Sequence, residues 1–293
     1  MISTDQLISS KSTSICQIYW ETAQYTFLKG SDFSKDEYNF VYFSNPLMAS
    51  GKIIKQWKSQ THFPEMPSLP TLIKSQNYQI FVKATCFPAN SLIYRLSFFD
   101  RQGQVVKKIN FTSSQINFTF PVEANSYFFE MINGGCQELL FKRIQIAKEK
   151  LSPESFEDFF VNKENNKQSD FNNLLLLSDG KYSRKIVSPS FQGFHDLAIA
   201  NISWQFQGNL TKRVNKFIQT CRKNLVVFST SSKLDFGIHE LKSSHPNITF
   251  ISSKELNAFN DDNNLLVHQN LQGEIYEPNL DLYLHEIRNY LRK

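Results

Sequence analysis

The stretch Leu139-Leu-Phe-Lys-Arg-Ile-Gln-Ile146 decides how the first half of the chain is read. On an extended chain Leu140, Lys142, Ile144 and Ile146 fall on one face, and Leu139, Phe141, Arg143 and Gln145 on the other. A period of two marks a strand, because successive side chains point to opposite sides of the pleat. Tyr78-Gln-Ile-Phe-Val-Lys-Ala84 and Leu92-Ile-Tyr-Arg-Leu-Ser-Phe-Phe99 alternate in the same way. Their aromatic and β-branched residues suit a half-buried pleated surface. After Phe99, Asp100-Arg-Gln-Gly103 has the make-up of a hairpin turn, with Gly103 suited to positive φ. Asn133-Gly-Gly135 marks another turn. Short antiparallel strands at this spacing predict a β-sandwich or jelly roll over residues 16–148.

The pattern changes after residue 148. Residues 149–170 are charged and polar, which predicts a linker. Ser152-Pro-Glu-Ser155 would open a short helix there, with Phe156, Phe159 and Phe160 on one face. From residue 171 apolar runs alternate with helical stripes. Residues 174–177, 197–200, 224–228, 248–251 and 265–267 read as strands, and 210–222, 234–241 and 280–291 as helices. Continuous apolar strands alternating with helices predict a parallel sheet covered on both faces. The predicted class is therefore a multidomain α+β chain, an antiparallel β-sandwich followed by a small Rossmann-like α/β domain. Its parts are a flexible arm (1–15), the sandwich (16–148), the linker with its short helix (149–170) and the α/β domain (171–293).

Composition narrows the function classes. Among 293 residues there are 27 Phe, 11 Tyr and 3 Trp, far too much apolar surface for a disordered chain. No run approaches the ~18–20 apolar residues of a membrane-spanning helix. The opening MISTDQLISSKSTSI lacks the apolar centre and cleavage site of a secretory leader, so a cytoplasmic location is expected. The formal charge is +5, and all of it lies in residues 1–150, where 16 Lys and Arg face 11 Asp and Glu; residues 151–293 hold 16 of each. Without a zinc finger, a basic helix or an RNA-recognition signature, this predicts no nucleic-acid partner. Cys16, Cys86, Cys136 and Cys221 are scattered and read as buried thiols, with no metal and no cofactor expected.

Candidate chemistry sits in two places. The strand ends of the second half are polar: Ser178-Asp-Gly180, Ser229-Thr-Ser231, Ser252-Ser253 and His268-Gln-Asn270. Ligands of open α/β sheets bind at the carboxyl ends of strands, so a sugar or nucleotide could bind there; capping and turn formation account for the same residues. No glycine-rich phosphate loop, nucleophile elbow or His-Glu-x-x-His motif is present. The second place is residues 43–70, where four prolines (46, 64, 67 and 70) limit regular structure. Lys52, Lys55 and Lys58 surround Trp57. Two readings stand. Trp57 and Tyr42 stack on a sugar or peptide while the lysines meet acidic groups, or Trp57 and Leu69 plug one end of the sandwich.

The same segment carries a family resemblance. Phe43-x-Asn45-Pro46-Leu-Met48-x-Ser-Gly51-x-x-Ile-x-x-Trp57-x-Ser59, then Pro67-x-Leu-Pro-x-Leu72, Gln76-Asn-Tyr78, Phe98-Phe-Asp-Arg-Gln-Gly103 and Tyr127, resembles the third accessory secretory protein of the Gram-positive accessory Sec system. It spans roughly residues 16–148. Ala49 and His62-Phe-Pro64 depart from the family pattern. The resemblance implies a non-catalytic cytoplasmic protein with a carbohydrate-binding-module-like sandwich. It implies a complex with two other accessory secretory proteins, work with the accessory Sec ATPase, and export of a glycosylated serine-rich-repeat adhesin preprotein. Binding to that adhesin's glycans, and a sugar-active enzyme in the α/β half, are the competing readings. The expected binding residues are Tyr42, Asn45, Pro46, Met48, Gly51, Lys52, Lys55, Trp57 and Lys58. The lysines are expected to meet an acidic protein or the anionic inner face of the cell membrane, as a peripheral contact.

Overall fold

The computed structural model describes residues 12–20, 25–61, 66–148, 150–162, 172–180, 183–187, 197–219, 225–257, 287 and 289–291. It divides into two compact units, Ile15–Leu151 and the remainder, most of which is Ser152–Lys293.

The first unit carries β1 (Ser12–Ile18), β2 (Asp32–Lys35), β3 (Val41–Ser44), β4 (Ile53–Lys58), β5 (Asn77–Phe87), β6 (Leu92–Phe99), β7 (Val105–Phe111), β8 (Gln115–Thr119), β9 (Ser126–Asn133) and β10 (Glu138–Ala147). Strand β1 thus begins inside the segment expected to be an arm. One sheet is built on β10, which pairs with β5 along one edge and with β1 and β3 along the other; β8 flanks β5 and β2 flanks β3. The second sheet has the order β4-β9-β6-β7. Among the described residues, the strand pairings within this unit are antiparallel. The sheets pack face to face, and side chains from both make one apolar core, so the unit is a β-sandwich.

The β10 stretch departs from strict alternation. Phe141 pairs with Ala84 and Arg143 with Lys83, which leaves Lys142 as an extra residue. This bulge reverses the phase of the strand. Leu139 and Phe141 point into the core together with Ile144 and Ile146, although the alternation places the two pairs on opposite faces. The Asp100 turn forms as expected. Its carboxylate accepts from the backbone N–H of Gln102 (2.9 Å) and Gln104 (2.8 Å), and Gly103 has φ +78°.

In the second unit Pro153–Phe156 is a single 3-10 turn. Phe159 and Phe160 lie in β11 (Phe159–Asn162), not on a helix face. The Phe-Phe-Val run is β-prone and takes up antiparallel pairing with β14 (Leu197–Ile202), so the short helix opened by Pro153 stops at Phe156 and does not carry Phe159 and Phe160. The other elements are β12 (Asn173–Ser178), β13 (Ser183–Val187), α1 (Leu210–Ile218), β15 (Val226–Ser229), α2 (Ser232–Ser244), β16 (Thr249–Ile251) and α3 (Ser253–Asn257). The sheet order is β11-β14-β12-β15-β16, with parallel pairing from β14 to β16.

Alternate residues of these strands serve two cores. Leu174, Leu176 and Val227 face α1 and α2, through Val214, Phe217 and Leu234. Leu175, Leu177 and Phe228 form the other core with Ile287 and Tyr290. Both faces are therefore covered, as parallel sheets require. The expected strand at 265–267 and the polar cluster at 268–270 lie outside the described residues.

Candidate functional site

The signature segment is built around a turn. Asn45 follows β3, is buried, and donates through Nδ2 to Ser31 Oγ (2.8 Å) and the Lys29 carbonyl (3.3 Å). Its backbone N–H donates to the Gln137 carbonyl at 2.9 Å. The Met48 N–H closes the turn on the Asn45 carbonyl, and the Met48 side chain is buried. Pro46 is exposed, and Leu47 is 95% exposed. Gly51 has φ +84°, a conformation that a residue with a Cβ adopts only under strain.

One residue that motif reading missed joins this turn to the next. Asn133 donates through Nδ2 to the Met48 carbonyl (2.7 Å), while its Oδ1 accepts from the N–H groups of Gly135 (2.8 Å) and Cys136 (2.6 Å). The backbone of Asn133 also bonds Gly51 and Lys52. Its signal in the sequence was the Asn-Gly-Gly context, which marks a side chain able to bond its own turn.

The structure takes Trp57 out of any surface site. It is fully buried, 5.4 Å from the Phe141 ring and 5.9 Å from that of Trp20. Its Nε1 donates to the Tyr19 carbonyl at 2.9 Å. This corrects the stacking reading, because a ring with no exposed face cannot receive a ligand.

The three lysines are separated as well. A register irregularity between Ile53 and Lys55 lets the consecutive residues Ile54 and Lys55 both turn inward. Lys55 is fully buried, with Nζ 2.9 Å from Thr26 Oγ1 and 5.6 Å from the centre of the Trp20 ring. Lys58 is half-buried, with Nζ 5.7 Å from the Phe128 ring centre, and only Lys52 is exposed. A shared basic patch is thereby overturned. Asn45, Met48, Gly51, Lys55 and Trp57 shape the turn and the core. Tyr42, Pro46 and Lys52 are accessible.

Tyr42 lines a groove. Near Glu138 and Leu140, the face of the β10 sheet turned away from the core carries two cross-strand rows, Ser34–Tyr42–Leu140–Thr85 and Asp32–Ser44–Glu138–Phe87. They line a cavity of about 710 Å³. Tyr42 is 48% exposed and Phe87 60% exposed. The two rings stand on strands either side of β10, so they are offset by two strand spacings, ~10 Å. The Glu138 carboxylate lies between them with the hydroxyls of Ser44 and Thr85, and Asp32 and Ser34 line the groove on the far side of Tyr42. Phe87 was not singled out from the sequence; only its exposure in the fold reveals it.

The strand ends of the second unit are engaged in the fold. Thr230 Oγ1 donates to the Leu176 carbonyl (3.0 Å) and accepts from the Ser178 N–H (3.4 Å), tying β15 to β12. Asp179 accepts from the Trp204 N–H at 2.7 Å, and Asp235 accepts from the Ser253 N–H at 2.9 Å. Hydrogen bonds from the Ser252 N–H and hydroxyl hold the Glu255 carboxyl below its ordinary value. A cavity of about 220 Å³ beside α1 and α2 includes Lys233 and Glu240 in its lining. Glu240 accepts there from Thr211 Oγ1 at 2.8 Å. His268, which belongs to another of the polar strand ends, lies outside the described residues. No described helix is long and apolar enough to cross a membrane.

Comparison with known proteins follows the sandwich. The family described as "Accessory Sec secretory system ASP3" matches residues 25–148. The accessory Sec system protein of that name from Streptococcus gordonii is 33% identical over 127 residues, which are 42% of this chain and 80% of that protein. The chain belongs to this accessory Sec family. One chain of known structure agrees in fold. A chain of the Streptococcus agalactiae "Glycosylation Associate Protein (Gap123) complex" aligns with 81% of this chain and 78% of its own length, at 24% identity and a TM-score of 0.53. A chain from the crystal structure of accessory secretory proteins 1, 2 and 3 of Streptococcus pneumoniae is 28% identical. It covers 46% of this chain and 96% of its own length, with a TM-score of 0.44. Most of the residues at 43–59 that carry the resemblance hold the turn and the core.

Proposed function

We propose that this chain is a non-catalytic component of the accessory Sec pathway. In this reading it works in the cytoplasm in a complex with two other accessory secretory proteins, and helps the accessory Sec ATPase export a glycosylated serine-rich-repeat adhesin. The observation that carries the reading is the family match, which covers four-fifths of the streptococcal relative and rests on the sandwich. The chains solved as the Gap123 complex and as accessory secretory proteins 1, 2 and 3 are support for the assembly. Within this reading the sandwich is of carbohydrate-binding-module type and the second unit is a small Rossmann-like domain. The strand order β14-β12-β15-β16 and the helices between parallel strands favour the latter. The test is co-elution of the purified chain with the two partner proteins at micromolar concentration. Separate elution removes the proposal.

A second reading is favoured by the groove. Exposed aromatic rings flanking a carboxylate and hydroxyls suit a sugar, whose apolar face stacks while its hydroxyls bond the polar groups. In this reading Tyr42 and Phe87 bind the adhesin's glycans. Calorimetry with an N-acetylglucosamine-bearing Ser/Thr-rich polypeptide should show binding by the wild type. Tyr42→Ala and Phe87→Ala should lose it while keeping the wild-type melting temperature. Absence of binding by the wild type sinks the idea.

A further inference from the structure

The sandwich is open along one side. Strand β7 ends the β4-β9-β6-β7 sheet, and β8, joined to it by residues 112–114, ends the other. Val106, Ile109 and Phe111 pack on the core from β7 yet remain half-buried. They form a ledge that the two sheets do not close. Among the described residues no strand pairs with the far edge of β7, which leaves a row of backbone donors and acceptors available.

The charge on this edge is one-sided. Lys107 stands opposite Phe98 and Lys108 opposite Ser97, and both lysines are exposed. Neither has a carboxylate across the pair. Consecutive on a strand, they point to opposite faces, so a chain laid beside β7 meets a cation on both sides. A second copy docked edge to edge about this centre would oppose lysine to lysine, which like-charge repulsion disfavours. An acidic strand meets the opposite situation.

We propose that the free edge of β7 takes up an extended, acidic segment of a partner protein as a fifth strand. Its apolar side chains close over Val106, Ile109 and Phe111, and its carboxylates flank Lys107 and Lys108. Main-chain hydrogen bonds supply affinity, and the alternating side chains supply selectivity. The inference rests on the reading of the chain as a subunit of an assembly, and names the chemistry of one contact.

The test uses the full chain and two capped peptides of about eight residues, the length of an ordinary strand. One carries two consecutive Glu between valines and the other two consecutive Lys, so that the charged pair reaches both faces of the strand. The wild type should prefer the Glu peptide by about tenfold at low salt, with the preference shrinking as salt rises. Lys107→Glu/Lys108→Glu should reverse that preference. Bound Glu peptide should slow hydrogen exchange at the β7 amides directed away from β6. A wild type with no preference overturns the proposal, as does a preference that survives the double substitution or leaves β7 exchange unchanged. A chain that shows the preference but captures neither partner protein removes the assembly reading alone. A chain that captures both without the preference removes this proposal alone.

Discussion

Asn133 and Met48 are 85 residues apart, yet Asn133 Nδ2 donates to the Met48 carbonyl at 2.7 Å and fixes the signature turn against the turn between β9 and β10. The same side chain accepts two backbone N–H bonds through Oδ1 and is 1% exposed. Both halves of one amide are therefore used where water does not reach. Asn133→Ala takes the partner from the buried Met48 carbonyl and Cys136 N–H, and from the more accessible Gly135 N–H, and should cost roughly 2–4 kcal/mol. Asn133→Asp keeps the acceptor but loses the donor and places a buried carboxylate oxygen against the Met48 carbonyl, so it should destabilise as well. Denaturant midpoints of the two variants check this. An Ala variant within about 0.5 kcal/mol of wild type refutes the hub.

Trp57 gives a prediction about folding, not recognition. Trp57→Ala empties a site packed against Trp20, Phe129 and Phe141 and should cost about 3–5 kcal/mol. Trp57→Phe keeps most of the packing but leaves the Tyr19 carbonyl without its indole donor, so a smaller loss of about 1–3 kcal/mol is expected. Loss of partner binding in Trp57→Ala should track the unfolded fraction measured by near-ultraviolet circular dichroism. A fully folded Trp57→Ala variant contradicts the burial argument.

The lysines of the signature segment should respond unequally to charge reversal. Lys52→Glu changes an exposed group and should leave stability within about 0.5 kcal/mol. Lys55→Glu places a carboxylate beside Thr26, Trp20 and Trp57 in a buried site and should cost more than ~4 kcal/mol. Lys58→Glu removes the cation from the Phe128 ring at a half-buried position and should fall between them. Thermal melts of the three variants provide the ranking. Equal effects at Lys52 and Lys55 would show that the inward turn of Lys55 is wrong.

Alkaline pH should weaken the first unit through Cys136. Burial, more than any neighbour, pushes its thiol up to about 11. In the unfolded chain the thiol titrates near its ordinary ~8.5. The folded state therefore holds the proton more tightly, and this contribution is whole below ~8.5 and disappears as the pH rises toward 11. Burial likewise raises Tyr127, which acts in the same direction at higher pH. Denaturation midpoints from pH 8 to 11 should fall more steeply for wild type than for Cys136→Ala. Parallel curves would remove Cys136 from the effect.

Local periodicity was enough to place many of the elements. Alternation at 78–84 and 92–99, the Asp100 turn, and the apolar runs at 174–177 and 197–200 each depend on neighbours in the chain, and each appears in the structure. The groove and the hub were not legible in that way. Phe87 gains its meaning from Glu138 and Ser44 beside it in register, and Asn133 from a turn 85 residues away.

The stretch from Leu139 to Ile146 shows where the division falls. The sequence by itself determined that it is a strand, that its neighbours are strands, and that the chain carries the family's signature. Tertiary structure decided its phase. One extra residue at Lys142 turns Leu139, Phe141, Ile144 and Ile146 to the same side, and a comparable irregularity buries Lys55 beside Trp57. Alternation is a property of one strand, whereas a bulge is set by the fit of two strands and the core between sheets. A period of two therefore identifies the strand, and only the packed sandwich shows which side each residue takes.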